Sequence, residues 1–410
     1  MSAAAPTPPT RAALFRRFLG LGCTAFGGPV VQIDTLHREF AGDGRLVSSE
    51  RFRRALAVYQ ALPGPEATEM CIWLGTVARG RLGGLLAGLG FALPGFVLML
   101  TAAWLLQGDA AWPAWLQATV AGMQGGAVAL LLRAARRLFV AGTRRQAIPV
   151  AIALAAAIGA FGQVPFAVAL VAGGLALLTT ESPRRMALGA NGGRGSPGLL
   201  LVVFVSWLTL GFWLASGAPA TDTAALAIAA GNADLGTLAT TGLQAGLLTF
   251  GGAYTAIPFL QDAATGPAGW MAGEAMLSGI AIGGVLPTPM VMVGTWVGFA
   301  GGGFAGALLL TLGIFLPAFA FPLLLHERLE SLTAARPLHT FLDGVTAAVA
   351  GLVVATAVSM TAGHLDSQHT TGLASTTTAW LLLWRWRHRL ATPAAMLASG
   401  LVGLLLANVT

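Results

Sequence analysis

Phe26-Gly27-Gly28-Pro29 lies inside an apolar stretch, and about 224 residues later Phe250-Gly251-Gly252-Ala253 repeats it. Working outward, the same offset carries Leu62-Pro63-Gly64-Pro65 onto Leu286-Pro287-Thr288-Pro289, and Leu93-Pro94-Gly95-Phe96 meets Leu316-Pro317-Ala318-Phe319 one residue short of it. Three motifs held in one register mark an internal duplication. Gly and Pro interrupting hydrophobic segments at corresponding places of two halves point to a substrate site of the kind transporters build.

The surrounding chain is 56% hydrophobic and 10% charged, with mean hydropathy +0.75. A soluble domain carries roughly one quarter charged residues, so this composition is that of an integral membrane protein. All 23 basic residues are arginines, placed in short loops between apolar segments. The net charge of +7 therefore reads as orientation in the membrane, and nucleic-acid binding is not expected. Cys23 and Cys71 show neither disulfide nor metal spacing and read as small buried residues. The six histidines show no ligand spacing and read as solvated, and no metal, cofactor, nucleotide loop or catalytic constellation is expected. An enzyme or a scaffold is the remaining class, and it would need a soluble domain or such a constellation.

Thirteen apolar segments can be read. In the first half they cover 18–36, 55–77, 82–107, 116–132, 146–161 and 165–180. In the second half they cover 241–260, 275–299, 303–325, 338–362, 372–384 and 393–409, and 199–216 is an unpaired connector. The expected organisation is a first repeat over 11–180, a loop and connecting helix over 181–234, and a second repeat over 235–410. If the first two segments of each half are re-entrant hairpins, every arginine falls on one face, which the positive-inside rule makes cytoplasmic, with the N-terminus. Five crossings then separate the starts of the repeats, and an odd number inverts the second. The fold expected is an all-α membrane protein with an inverted repeat, nine crossings and four re-entrant hairpins. The competing reading has all thirteen segments spanning, which puts Arg38, Arg45, Arg51, Arg53 and Arg54 outside. Small-residue-rich helices at 82–90 and 299–307 could pack within one chain or between chains, which leaves a homo-oligomer open.

Gly28-Pro29, Gly64-Pro65 and Thr288-Pro289 each read as the start of a half-helix, since Pro suits the first helical position and Gly or Thr the residue before it. Gly252-Ala253 is the fourth such start. Free backbone N–H groups at these ends would face the membrane interior, and each end acts as roughly +0.5 charge. Four converging ends match a dianion without burying an arginine. Gly27, Gly28, Pro29, Gly64, Pro65, Thr249, Gly251, Gly252, Thr288 and Pro289 are accordingly the candidate substrate-binding residues. The plainer reading is that these residues only kink helices or let them pack closely. Thr24, Gln32, Gln60, Thr68, Gln244, Thr255 and Thr295 could complete an anion's shell or satisfy backbone bared by the breaks. Glu66 and Glu69 follow Pro65 and have no acidic counterpart in the second repeat. They either answer the helix dipole or bind and release the protons that couple to anion movement. Asp343 is a weaker candidate of the same kind.

At Phe18-Leu-Gly-Leu-Gly-Cys-Thr-Ala-Phe26-Gly-Gly-Pro29, then His37-Arg38-Glu39-Phe40, then Leu62-Pro63-Gly64-Pro65-Glu66-Ala67-Thr68-Glu69, the sequence resembles the chromate ion transporter family in its long two-repeat form. The resemblance covers both repeats. It implies a secondary carrier of the bacterial inner membrane that exports chromate, a tetrahedral dianion and sulfate mimic, and so confers chromate resistance. A carrier of sulfate or another oxyanion, or an anion channel, is the alternative within membrane transport. The second repeat departs from the first at Ala253 for Pro29 and at Thr288 for Gly64.

Overall fold

The computed structural model describes residues 10–60, 62–108, 112–162, 164–180, 233–250, 252–267, 269–332, 336–386 and 388–407. The connector at 199–216 lies outside them. Seven helices form the first repeat: α1 Arg11–Cys23, α2 Pro29–Phe40, α3 Ser49–Tyr59, α4 Glu66–Leu106, α5 Ala114–Thr143, α6 Ala147–Phe161 and α7 Phe166–Thr180. Seven more match them in order: α8 Leu235–Leu247, α9 Ala256–Thr265, α10 Gly273–Val285, α11 Val293–Leu332, α12 Arg336–Ser367, α13 His369–Arg385 and α14 Ala391–Ala407. Short 3-10 turns at Ala253–Thr255 and Met290–Met292 lead into α9 and α11.

The broken segments double back. Arg17 of α1 reaches Glu39 of α2 at 2.8 Å, and the Phe18 and Phe40 rings stack at 5.1 Å. Such pairs form only if α2 returns along α1 after the break at 24–28. In the same way Phe52 of α3 meets Trp73 of α4 edge-on at 6.4 Å, across the break at 60–65. In the second repeat Trp296, the counterpart of Trp73, donates its indole N–H to the Ala275 carbonyl of α10 at 2.9 Å.

The longest helices are themselves hairpins. Within α4 the backbone leaves helical geometry at Arg79 (φ −148, ψ 27) and Gly80 (φ 66, ψ −166), and within α11 at Gly302 (φ −159, ψ 27) and Gly303 (φ 57, ψ −143). Gly80 and Gly303 occupy the left-handed region that a Cβ disfavours, so each repeat turns at a glycine. Beyond the turn the chain runs back against itself: Gly75 lies on Gly83, Thr76 on Gly84 and Ile72 on Gly88. The second repeat shows the same contact at Gly298 and Gly306, with the Thr295 and Thr311 hydroxyls 2.8 Å apart. Glycines facing each other let the two backbones touch, which is how helices in lipid gain packing. Residues 81–106 then extend ~39 Å at 1.5 Å per residue, enough for a ~30 Å hydrocarbon layer.

Equivalent helices of the two repeats run antiparallel. Gly84 of α4 meets Leu323 of α11 while Gly88 meets Phe319, so one ascends as the other descends. Gly142 of α5 lies on Thr346 of α12, and Arg144 just beyond it pairs with Asp343, again in opposite sense. Antiparallel equivalents are the signature of an inverted repeat, because a two-fold axis along the membrane normal would leave them parallel.

The repeats also interlock. The pair α13 and α14 packs on α5, and the pair α6 and α7 packs on α12, so each long helix is clasped by the short helices of the other half. Small residues make these contacts close: Gly122 on Ser399 and Gly403, Gly125 on Ser375, Gly173 on Gly344, and Gly351 on Ala153. The hairpins of the first repeat keep a separate apolar core around Phe18, Phe40, Phe52, Trp73 and Phe91.

Candidate functional site

Each break opens a helix. Gly28 (φ 78, ψ −177) caps α2 with Pro29 in its first turn, and Gly252 (φ 122, ψ 165) caps the turn at Ala253–Thr255. A side chain is strained at both angles, which explains why this glycine stands in both repeats. At the other two breaks the helix begins one residue later than the sequence suggests. Pro65 is itself the N-cap of α4, and Pro289 that of the turn at Met290–Met292. Gly251 lies outside the described residues.

The breaks are brought together. The Gly64 N–H donates to the Thr249 carbonyl at 2.9 Å, tying the second break to the third. A Cβ on Gly252 would stand 3.4 Å from Glu66 Oε1, and one on Gly28 would stand 3.4 Å from the Tyr254 hydroxyl. The turns Ala253–Thr255 and Met290–Met292 pack on each other. All four helix starts are thus joined through the third break.

The motif containing Gly95 and Ala318 supplies the walls. A Cβ on Gly95 would lie 3.2 Å from Thr288 Cβ, and one on Gly64 would lie 3.3 Å from Ala318 Cβ. These two contacts are symmetry mates. Where the second repeat enlarges Gly64 to Thr288, the facing helix shrinks Ala318 to Gly95. The departure at Thr288 goes with a size exchange across the interface of the repeats, and with a change of backbone, since Gly64 is held at φ 142, where a side chain is strained, and Thr288 is not. The sequence displayed the third motif, but its role appears only when the two halves are folded together.

Polar groups at the breaks divide into two sets. Gln32 donates to the Ala25 carbonyl at 2.9 Å, Thr24 to Gly20 at 3.1 Å and Thr255 to Gly252 at 2.6 Å. Thr249 likewise donates to Ala245, and Thr295 pairs with Thr311. These hydroxyls and amides satisfy backbone or each other. The second set is unsatisfied. Both oxygens of Glu69, the Thr68 hydroxyl and the Thr288 hydroxyl are buried with no hydrogen-bond partner. Glu66, 6% exposed, receives one bond of 3.3 Å from Gln60 Nε2, and neither acid caps a backbone N–H of α4. A buried polar group without a partner is costly, so a cluster of them beside four helix ends is a place built for something to bind.

Three residues differ from their sequence reading. Cys23 is exposed and only Cys71 is buried. His364 is buried, 1% exposed, with neither ring nitrogen bonded, because α12 continues past the point where the sequence suggests a loop. Asp343 pairs with Arg144 at 3.4 Å on an exposed surface, where such a pair is worth little. Sequence reasoning missed Tyr254, which faces Gly28 and is matched by Val30 in the first repeat, so the duplication itself hid it.

Comparison with known proteins agrees with this architecture. The chain is 42% identical over 405 residues to the chromate transport protein of Pseudomonas aeruginosa, covering 98% of this chain and 94% of that one. It is 26% identical over 379 residues to a probable chromate transport protein of Synechococcus elongatus, covering 90% of each. It is 25% identical over 394 residues to the chromate transport protein of Cupriavidus metallidurans, covering 94% and 91%. No solved structure matches. The chromate transporter family model matches residues 12–178 and 236–404, one match per repeat. With both halves of its inverted architecture matched, this multi-pass membrane protein belongs to the chromate transporter family.

Proposed function

We propose that the chain is a secondary carrier that exports chromate from the bacterial cytoplasm and so confers resistance to it. The observation that carries this reading is the junction of four helix starts around unpartnered Glu69, Thr68 and Thr288. Helix ends of roughly +0.5 charge each supply about +2 toward a tetrahedral dianion, and the Thr68 and Thr288 hydroxyls are available to donate to its oxygens. Gly27, Gly28, Pro29, Gly64, Pro65, Thr249, Gly251, Gly252, Thr288 and Pro289 form the binding shell in this reading.

Glu66 and Glu69 carry the coupling. Ionised, two carboxylates would offset the helix ends and repel the dianion, whereas protonated they leave the positive field intact. Proton binding and anion binding therefore favour one another, which is the linkage of a proton–anion symport. An inside-negative potential favours export by about 2.3 kcal/mol per net charge per 100 mV, about 4.6 kcal/mol for a dianion leaving alone. Each proton that leaves with it cancels one charge and moves against an inward proton gradient, so export in this reading is driven by the remaining charge and the chromate gradient. In this reading the four broken segments re-enter the membrane, nine segments cross it, and the arginine face with the N-terminus is cytoplasmic.

The test is chromate flux in proteoliposomes under imposed pH and electrical gradients, with sulfate as competitor. Saturable flux that responds to both gradients, and loses its response to pH in Glu66→Gln, is expected. Absence of chromate flux in the wild type would reject chromate as the substrate, and inhibition by sulfate at lower concentration than chromate itself requires would make sulfate the preferred one.

A further inference from the structure

Two cavities lie against corresponding faces of α5 and α12, and the first of them reaches the junction of the breaks at Gly27 and Tyr254. The first, about 620 Å³, is lined by Arg133, Arg136, Arg137 and Arg145 of α5 and its end, and its floor is Gly27 and Tyr254. The second, about 320 Å³, is lined by α12 and the turn after α9. Leu130 lines the first and Leu352 the second, and Gly122 and Gly344 fall in the same register. In that register Arg133 corresponds to Ala355 and Arg137 to Ser359, both of which line the second cavity. No acidic residue lines the arginine cavity among the described residues, whereas Asp262 lines its mate. The shape is duplicated and the charge is not.

We infer that the arginine cavity is the loading vestibule for the divalent oxyanion, and that its neutral-to-acidic mate is the port of release. This rests on the carrier reading above and adds sidedness to it. A cleft lined by charge of one sign with low-dielectric walls focuses the field and raises the local concentration of the opposite ion. Arg133 and Arg137, one helical turn apart, place two guanidinium groups on the wall above Gly27 and Tyr254. Tyr254 in turn faces Gly28, the cap of α2, so an anion descending the arginine wall arrives at the first half-helix end. Guanidinium suits a tetrahedral oxyanion because it offers paired N–H donors in a fixed fork. The opposite port repels what it receives. The asymmetry sets the kinetics of capture on each face; the net direction is still set by the gradients.

Initial rates of chromate uptake measured in inside-out and right-side-out membrane vesicles test this. Wild-type KM is expected to be roughly ten-fold lower from the arginine side, and to rise steeply with ionic strength on that side alone. Arg133→Gln with Arg137→Gln should raise that KM to the value of the opposite face, with kcat unchanged. Arg133→Lys with Arg137→Lys should keep most of the effect, and Arg53→Gln, an exposed arginine elsewhere, should do nothing. As a gain-of-function arm, Ala355→Arg with Ser359→Arg should lower KM from the opposite face. Wild-type KM and salt dependence in the double glutamine variant would overturn the vestibule while leaving chromate transport intact. Lack of any chromate flux in wild-type vesicles would overturn the carrier reading and this inference with it.

Discussion

Glu69 is the residue on which structure and function pull hardest against each other. Its two oxygens are buried without a partner beside Gly64, a placement that stability alone would not select. If the acid serves coupling, Glu69→Gln should cost the fold nothing, because an amide of the same shape carries no charge to bury. The expected outcome is a melting temperature in detergent at or above that of wild type, with chromate exchange retained and the response to a pH gradient lost. A large fall in melting temperature would instead make Glu69 structural, through an interaction that only the acid makes. The two acids were legible in the sequence, since carboxyls following a Pro-Gly-Pro turn in an apolar segment have few uses. Which of the nearby hydroxyls were available was not legible. Thr249 and Thr68 look alike in sequence, and only the fold shows that one is bonded to its own helix and the other is not.

The elements were legible to the extent that their breaks carry Gly and Pro. Phe26-Gly27-Gly28 and the Pro-x-Pro turns announced interruptions, and the structure converts them into hairpins by pairing Arg17 with Glu39 and Phe52 with Trp73. The turns at Gly80 and Gly303 fall where the apolar segments of the sequence end and restart, between 77 and 82 and between 299 and 303. What the sequence does not show is how closely the two arms pack, with Gly75 on Gly83 and Gly298 on Gly306. Whether the hairpins re-enter one face is a matter of membrane sidedness, and it has a direct test. Single cysteines at Arg45 and at Asp262, both exposed, in a variant without Cys23 and Cys71, can be labelled in intact cells with an impermeant thiol reagent. Re-entry predicts protection at 45 and labelling at 262. Labelling at 45 would mean that the first broken segment spans the membrane, and the arginines between 38 and 54 would then lie outside.

At the scale of the molecule the two halves are alike enough to fold as mates and unlike enough to need each other. Gly95 faces Thr288 and Ala318 faces Gly64, small against large at one contact and medium against small at the other. Two first halves paired together would set Gly95 against Gly64 twice and leave gaps. Two second halves would set Ala318 against Thr288 twice and overfill both contacts, at about 1–3 kcal/mol each. The clasp of α5 by α13 and α14, and of α12 by α6 and α7, adds a large apolar surface that either half alone would leave without its partner. Residues 1–190 and 191–410 expressed separately should therefore be degraded or aggregate, while co-expression should recover a complex that co-purifies and transports chromate. Exchanging the contact should shift this preference. In a first half carrying Gly95→Ala, each Gly64 of a self-paired product would face an alanine, as it faces Ala318 in the native contact, and some stable homodimer should appear on size exclusion. A wild-type first half that is stable and monodisperse alone would show that the size exchange is incidental, and that the asymmetry of the chain resides in the charge of its two vestibules.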